Sequence, residues 1–196
     1  MLKSRWLLIV LVVACIALIV LFLQLPKQPH SALEKVQSVD ADSLKLAQAI
    51  ELVNGEDPMQ GITLMREILA KDSTNVDAQF YMGMFSVRSG QLDKAIKRFD
   101  TVVQLRPADV RYLVEVGYQY MRMDSLKRAL GCFEKALQVE PSENNSLFFS
   151  AKANEGLGNL EEAKRNYQTL LTYVTDSVVA DTVKQYIINI DKKLNP

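Results

Sequence analysis

The sequence predicts an all-α chain: one membrane-length helix, then about four helix–turn–helix units stacked into a superhelix, closed by a C-terminal capping helix. Three observations predict it. Residues 6–25 are uncharged and, but for Gln24, apolar, the same residue types return every 34 positions between Ala49 and Tyr167, and the last twenty residues place apolar side chains at helical spacing.

The first element is "WLLIVLVVACIALIVLFLQL", Trp6 to Leu25. At about 1.5 Å per residue it spans roughly 30 Å, the thickness of a bilayer's hydrocarbon core. A cleavable signal peptide has a shorter apolar core followed by small residues, whereas Leu21, Phe22, Leu23 and Leu25 are large. Residues 1–25 are therefore expected to form an uncleaved transmembrane signal anchor. "VVAC", Val12 to Cys15, resembles a lipobox, so a lipoprotein modified at Cys15 is the alternative; the apolar run from Ile16 to Leu23 speaks against it. Lys3, Arg5 and the amino terminus precede the helix, while Lys27 and then Lys35, offset by Glu34, follow it. The positive-inside rule places the N-terminus in the cytoplasm, so the expected location is the inner (plasma) membrane with the remainder periplasmic or exoplasmic. Residues 26–41, "PKQPHSALEKVQSVDA", read as a linker that reaches at most about 50 Å when extended.

The repeat follows. Leu92 returns as Leu126 and Leu160, and Ala95 as Ala129 and Ala163, with Gly61 one step earlier. Phe99 returns as Phe133 and Tyr167, with Met65 one step earlier, and Pro107 returns as Pro141. Gly83 returns as Gly117 and Ala151, with Ala49 one step earlier. The units fall at 42–75, 76–109, 110–143 and 144–177. In each, two apolar helices join at a short turn, as at "RSGQ" (Arg88–Gln91) and "GLGN" (Gly156–Asn159). The small residues are expected to let paired backbones approach, the phenylalanines to fill the wedge towards the next unit, and the prolines to end each second helix. A unit alone cannot bury its apolar stripe, so the units must stack.

Each unit has its own signals. In the first, "DPMQ" starts the second helix: Asp57 caps it, Pro58 suits its first turn and Gln60 stands where a capping-box partner belongs. In the second, "QLDKAIKRFDTVVQLRP" packs through Leu92, Ala95 and Phe99 and turns Lys94, Lys97 and Arg98 to solvent. In the fourth, Ser150–Ala151 and Thr175 depart from the pattern. Residues 178–196 carry Val179, Val183, Tyr186, Ile187 and Ile190 at helical spacing, with lysines gathered near the C-terminus, as the helix dipole favours.

The third unit, "DVRYLVEVGYQYMRMDSLKRALGCFEKALQVEPSEN", shows Gly117, Tyr120, Ala129, Phe133, Ala136 and Pro141 at the spacing of the tetratricopeptide repeat, and the chain resembles that family over about seven-tenths of its length. It is similar to the membrane-anchored, bacterial periplasmic members. The resemblance implies that first helices line a concave, partner-binding groove. Its positions carry over to Phe80, Met84, Val87 and Arg88 in the second unit, and to Arg111, Val114, Tyr118, Met121 and Arg122 in the third. The fourth unit supplies Phe148, Lys152 and Glu155; the first offers only Leu46, Ile50 and Val53. Aromatic and apolar groups beside Arg88, Arg122 and Lys152 suit an extended or helical peptide of acidic character. The same spacing also serves internal packing. A carboxylate clamp for chaperone tails is not expected: Arg111 alone matches it, and Leu46, Ile50, Tyr81 and Glu115 stand at its other positions.

Composition excludes other classes. With 23 basic and 23 acidic residues the chain lacks the positive surplus a nucleic-acid binder needs. His30 is the only histidine and lies in the linker, so metal cages and histidine-based triads have no foundation. Gly156 and Gly158 belong to a turn, Glu161–Glu162 complement a helix start, and Cys15 and Cys132 form no disulfide framework. The expectation is no enzyme, with no catalytic, cofactor-binding or metal-binding residue. The chain is instead expected to be an adaptor holding a protein or peptide at a membrane complex of the translocon, cytochrome-maturation or envelope-assembly type, as a chaperone accessory. The alternatives are a structural subunit of a membrane complex and a cytosol-facing receptor.

Overall fold

A computed structural model describes residues 43–55 and 57–195. The expected membrane anchor at Trp6–Leu25, its lipidation alternative at Cys15 and the linker at 26–41 lie outside the described residues. Among the described residues there are nine α-helices and no strand, and no helix is long and apolar enough to cross a membrane. They are α1 (43–54), α2 (Pro58–Lys71), α3 (Val76–Arg88), α4 (Leu92–Leu105), α5 (Val110–Arg122), α6 (Leu126–Val139), α7 (Asn144–Leu157), α8 (Leu160–Tyr173) and α9 (Ser177–Leu194).

First and second helices start by different means. The orphan N–H groups at the start of α3, α5, α7 and α9 are met by the side chains of Asn75, Asp109, Glu143 and Asp176. Asp57 does the same for α2, accepting from the Gln60 N–H at 3.1 Å ahead of Pro58. By contrast α4, α6 and α8 have no side-chain cap, because the preceding turn delivers them directly. In that turn the Gln91, Ser125 and Asn159 N–H groups reach back to the carbonyls of Ser86, Tyr120 and Asn154 at 2.8–2.9 Å. This six-to-one closure needs a left-handed residue just before it. The chain supplies Gly90 (φ 72°), Asp124 (φ 56°) and Gly158 (φ 81°), 34 residues apart. At the other end of the units, α4 and α6 stop at Arg106 and Glu140. Both lie outside the helical region, at φ −131° and −132°, ahead of Pro107 and Pro141.

Packing uses the periodic residues in two ways. Gly83 and Gly117 do not bring two backbones together, as the sequence reading expects; each is a floor for a ring. A Cβ on Gly83 would stand 2.6 Å from Cε1 of Phe99, and one on Gly117 would stand 2.6 Å from Cε1 of Phe133. Close backbone approach occurs instead at Gly61, whose Cβ would meet Val53 N at 2.6 Å and Ala49 O at 2.7 Å. The rings then bridge to the next unit. Phe99 meets Tyr120 edge-on at 5.8 Å, Phe133 stacks on Phe149 at 5.8 Å, and Tyr167 stacks on Tyr186 of α9 at 5.3 Å. Tyr120 also donates to Asp100 at 2.7 Å, tying α5 to α4.

Two packing expectations need correction. Leu92 is 43% exposed. Its counterpart Leu126 lies over Gly156, which has no side chain, whereas the residue one repeat before Gly156 is Arg122. In α9, Val183 and Ile190 are buried and Tyr186 and Ile187 pack beside them, but Val179 is 45% exposed because it precedes the turn of α9 that meets α8. Of the three basic positions on α4, Lys94 and Lys97 are exposed, while Arg98 is half-buried and donates to Gln79 Oε1 at 2.8 Å. In the fourth unit Ser150 is satisfied inside the core, accepting from Asn166 Nδ2 at 2.7 Å.

These contacts rank the glycines. Gly61→Ala is expected to cost about 2 kcal/mol, since neither helix backbone can yield. Gly131→Ala, in α6 with open space around it, is expected to gain about 0.5–1 kcal/mol from helix propensity. Asp124→Gly relieves the left-handed strain and is expected to gain about 0.5 kcal/mol. Thermal and urea unfolding followed by helical circular dichroism measure all three.

Candidate functional site

The first helices of the second and third units, α3 and α5, flank a cleft of about 320 Å³ lined by Asn54, Asp77, Phe80, Tyr81, Met84, Arg111, Tyr112 and Glu115. Its walls follow from the caps. Asn75 and Asp109 start the two helices one repeat apart, so the first turns of α3 and α5 present Asp77 and Arg111–Tyr112 to each other. The Tyr112 hydroxyl donates to Asp77 Oδ1 at 2.5 Å across the gap. Phe80 forms the base, 8% exposed, with its ring edge-on to Tyr81 at 5.7 Å and to Tyr112 at 6.0 Å. The Arg111 guanidinium lies 4.3 Å from the centre of the Tyr112 ring.

Burial, and then the hydrogen bond to the Asp77 carboxylate, pushes the Tyr112 phenol up to about 12. Arg111 is held more firmly in its charged form, chiefly by Tyr112 and further by Asp109 and Asp77, against the opposing effect of burial. Both groups keep their neutral-pH charge state at any physiological pH.

The comparisons with known proteins agree with this repeat architecture. No protein-family model matches the chain. It is 32% identical over 114 residues to the Arabidopsis thaliana "Tetratricopeptide repeat domain-containing protein PYG7, chloroplastic", covering 56% of this chain and 38% of that protein. It is 25% identical over 144 residues to human "Superkiller complex protein 3", covering 72% of this chain and 9% of that protein. The chain thus spans well under half the length of either relative. Among solved structures, MamA of AMB-1 superposes with a TM-score of 0.63 at 18% identity, covering 76% of this chain and 87% of that one. "MamA 41-end from Desulfovibrio magneticus RS-1" gives 0.61 at 15% identity, covering 80% and 98%. The chain has the repeat architecture of tetratricopeptide repeat proteins and is similar to them.

The groove positions of that repeat are distributed unevenly. Phe80, Met84 and Arg111 share the cleft. Val87 and Met121 are half-buried against the central core, and Val114 is half-buried. Arg88 is exposed, but its Nη2 donates to the Val53 carbonyl near the end of α1 at 3.3 Å. Tyr118 is 42% exposed with its ring 5.5 Å from Phe149, and Arg122 is exposed and donates to Gln119 Oε1 at 3.2 Å. Phe148 lies among Phe149, Tyr167 and Tyr186. The Lys152 ammonium stands 3.5 Å from the centre of the Tyr186 ring and 3.4 Å from Glu155.

Five cleft residues escape the sequence reading as groove residues: Asn54, Asp77, Tyr81, Tyr112 and Glu115. The period contains a signal for four of them, since Asn54 is one repeat before Arg88. Asp77 is one repeat before Arg111, and Tyr81 one repeat before Glu115. Tyr112 has no such signal, because its body is a packing residue and only its hydroxyl edge reaches the cleft. Chemistry has little to work with nearby. Among the described residues no cluster of three His, Cys, Asp or Glu is placed to hold a metal ion. Cys132 is a free thiol, 5% exposed, which burial pushes up to about 11, so it stays protonated and unreactive at neutral pH.

The Tyr112 phenol gives a pH test. Its pKa in the folded chain lies above the ordinary value of 10.0, so its contribution to stability is complete below pH 10 and is lost as pH rises towards 12. Tyr120 and Tyr167 are raised in the same direction, mainly by burial. The urea midpoint is therefore expected to fall through this window, and Tyr112→Phe is expected to make the fall shallower.

Proposed function

We propose that this protein is a membrane-anchored tetratricopeptide repeat adaptor that holds a polypeptide segment on the first-helix face of its stack, beside a membrane complex. The observation that carries the reading is the cleft between α3 and α5, continued along the same face by the exposed Tyr118 and Arg122. Concave, partly apolar surfaces with a few polar groups are the usual form of a binding site. Methionine at its edge lets such a surface adapt to its ligand. The anchor reading rests on the uncharged run Trp6–Leu25, with Lys3 and Arg5 before it, and puts the repeats on the periplasmic or exoplasmic side. A translocon, a cytochrome-maturation complex or an envelope-assembly machine is the class of complex such an adaptor serves. Two of the curated relatives are themselves named as parts of assemblies, "Superkiller complex protein 3" and "Transcription factor tau 131 kDa subunit", which supports a scaffolding role.

A photo-crosslinking amino acid placed at Met84 or Tyr118 of the full-length chain, in its membrane, is expected to form adducts with a partner polypeptide. The same group at Lys97 on α4 is expected to form none. Replacing Met84, Tyr118 and Arg122 together by alanine is expected to weaken partner capture by at least about tenfold while the helical circular dichroism stays unchanged. Equal capture by the variant sinks the groove reading. Protease treatment of sealed inside-out and right-side-out vesicles reads the orientation: cleavage of the repeats only from the exoplasmic side is the expected result.

A further inference from the structure

The distribution of charge along the first-helix face differs from the one the sequence suggests. Arg88 and Lys152, two of the three cations that point to an acidic partner, are engaged within the chain: Arg88 on the Val53 carbonyl, Lys152 on the Tyr186 ring and Glu155. The cleft itself carries two carboxylates, Asp77 on α3 and Glu115 on α5, against one guanidinium, Arg111. That guanidinium already lies on the Tyr112 ring. Asp77 uses one oxygen to accept from the Tyr112 hydroxyl, and Glu115 is exposed with no hydrogen-bond or ion-pair partner among the described residues. Phe80, Tyr81 and the hydroxyl edge of Tyr112 line the same cleft.

We propose that this cleft receives a cationic side chain, lysine or arginine, of the bound polypeptide. The proposal rests on the groove reading above and specifies the partner's chemistry at one position. A lysine or arginine brings an apolar stem for the aromatic walls and a charged head for the carboxylates. The head donates charge-assisted hydrogen bonds to Asp77 and Glu115, and attraction to the ring faces adds to them. An apolar side chain of the same size desolvates the second oxygen of Asp77 and the Glu115 carboxylate without pairing either. An acidic side chain meets two like charges against the one guanidinium of Arg111. The occupant is thus selected by the cleft's excess of carboxylates over its one guanidinium.

The test uses the full-length chain in lipid nanodiscs and, as probe, a surface-displayed library of short random peptides. The wild type is expected to enrich lysine or arginine at one position of the selected motif. Asp77→Asn/Glu115→Gln is expected to bind those peptides about tenfold more weakly while keeping their apolar preferences. Glu115→Gln alone is the control for folding, since Glu115 makes no contact that the fold needs, and it is expected to weaken binding in the same direction. Glu115→Lys is expected to shift the selected position towards acidic residues. Selection of acidic or purely apolar motifs by the wild type, or basic enrichment that survives every one of these substitutions, overturns the cationic pocket and leaves the groove reading standing. A wild type that selects no motif overturns both.

Discussion

An aromatic ring laid on a glycine holds this protein together. Phe99 covers Gly83 and Phe133 covers Gly117, each ring fully buried and each occupying the space that any other residue's Cβ would fill. Such a contact joins the two helices of one unit at short range. Its other edge then faces forward, to Tyr120 from Phe99 and to Phe149 from Phe133, so one side chain serves two interfaces. Burying a phenylalanine is worth about 1.5–3 kcal/mol, and in a stacked array that energy has to be divided between forming a unit and joining it to its neighbour. Both roles fall on one position, which recurs at the 34-residue period.

The ends of the stack solve the same problem with other residues. At the N-terminal end the ring position is Met65, and Gly61 lets α2 press directly on the backbone of α1. At the C-terminal end Tyr167 takes the ring position above Ala151, donates its hydroxyl to Glu155 at 2.7 Å, and offers its face to Tyr186 of α9. The capping helix therefore joins the stack through the ring contact that joins the units, and Lys164 pairs with Asp191 at 2.6 Å to secure its far end. Because α9 also brings Tyr186 to Phe148 and Lys152, the first-helix face is more open between α3 and α5 than at the fourth unit.

Much of this was legible in the sequence, for a physical reason. A repeat stack is held by nearest-neighbour contacts, so its packing residues must recur at one spacing, and recurrence is visible without coordinates. The turns at Gly90 and Gly158, the Asp57 cap and the stops before Pro107 and Pro141 are likewise local, each settled by a few adjacent residues. The candidate site was less legible. Arg111, Met84 and Phe80 are found by stepping along the groove positions, but whether a given arginine or lysine is available depends on what comes to it from elsewhere. Arg88 reaches a carbonyl 35 residues away, and Lys152 meets a ring of α9.

The sequence by itself determined the helix pairs, their period, the Asp57 cap and the recurring residues that pack one unit on the next. Tertiary structure alone decided that the glycines serve as floors for rings and that Tyr112 spans to Asp77. It also decided that the cleft between α3 and α5 carries more negative than positive charge. Periodicity reports which residues recur. It does not report the distance between charges on different helices, because that distance is set by how the side chains of several elements share space once they are packed.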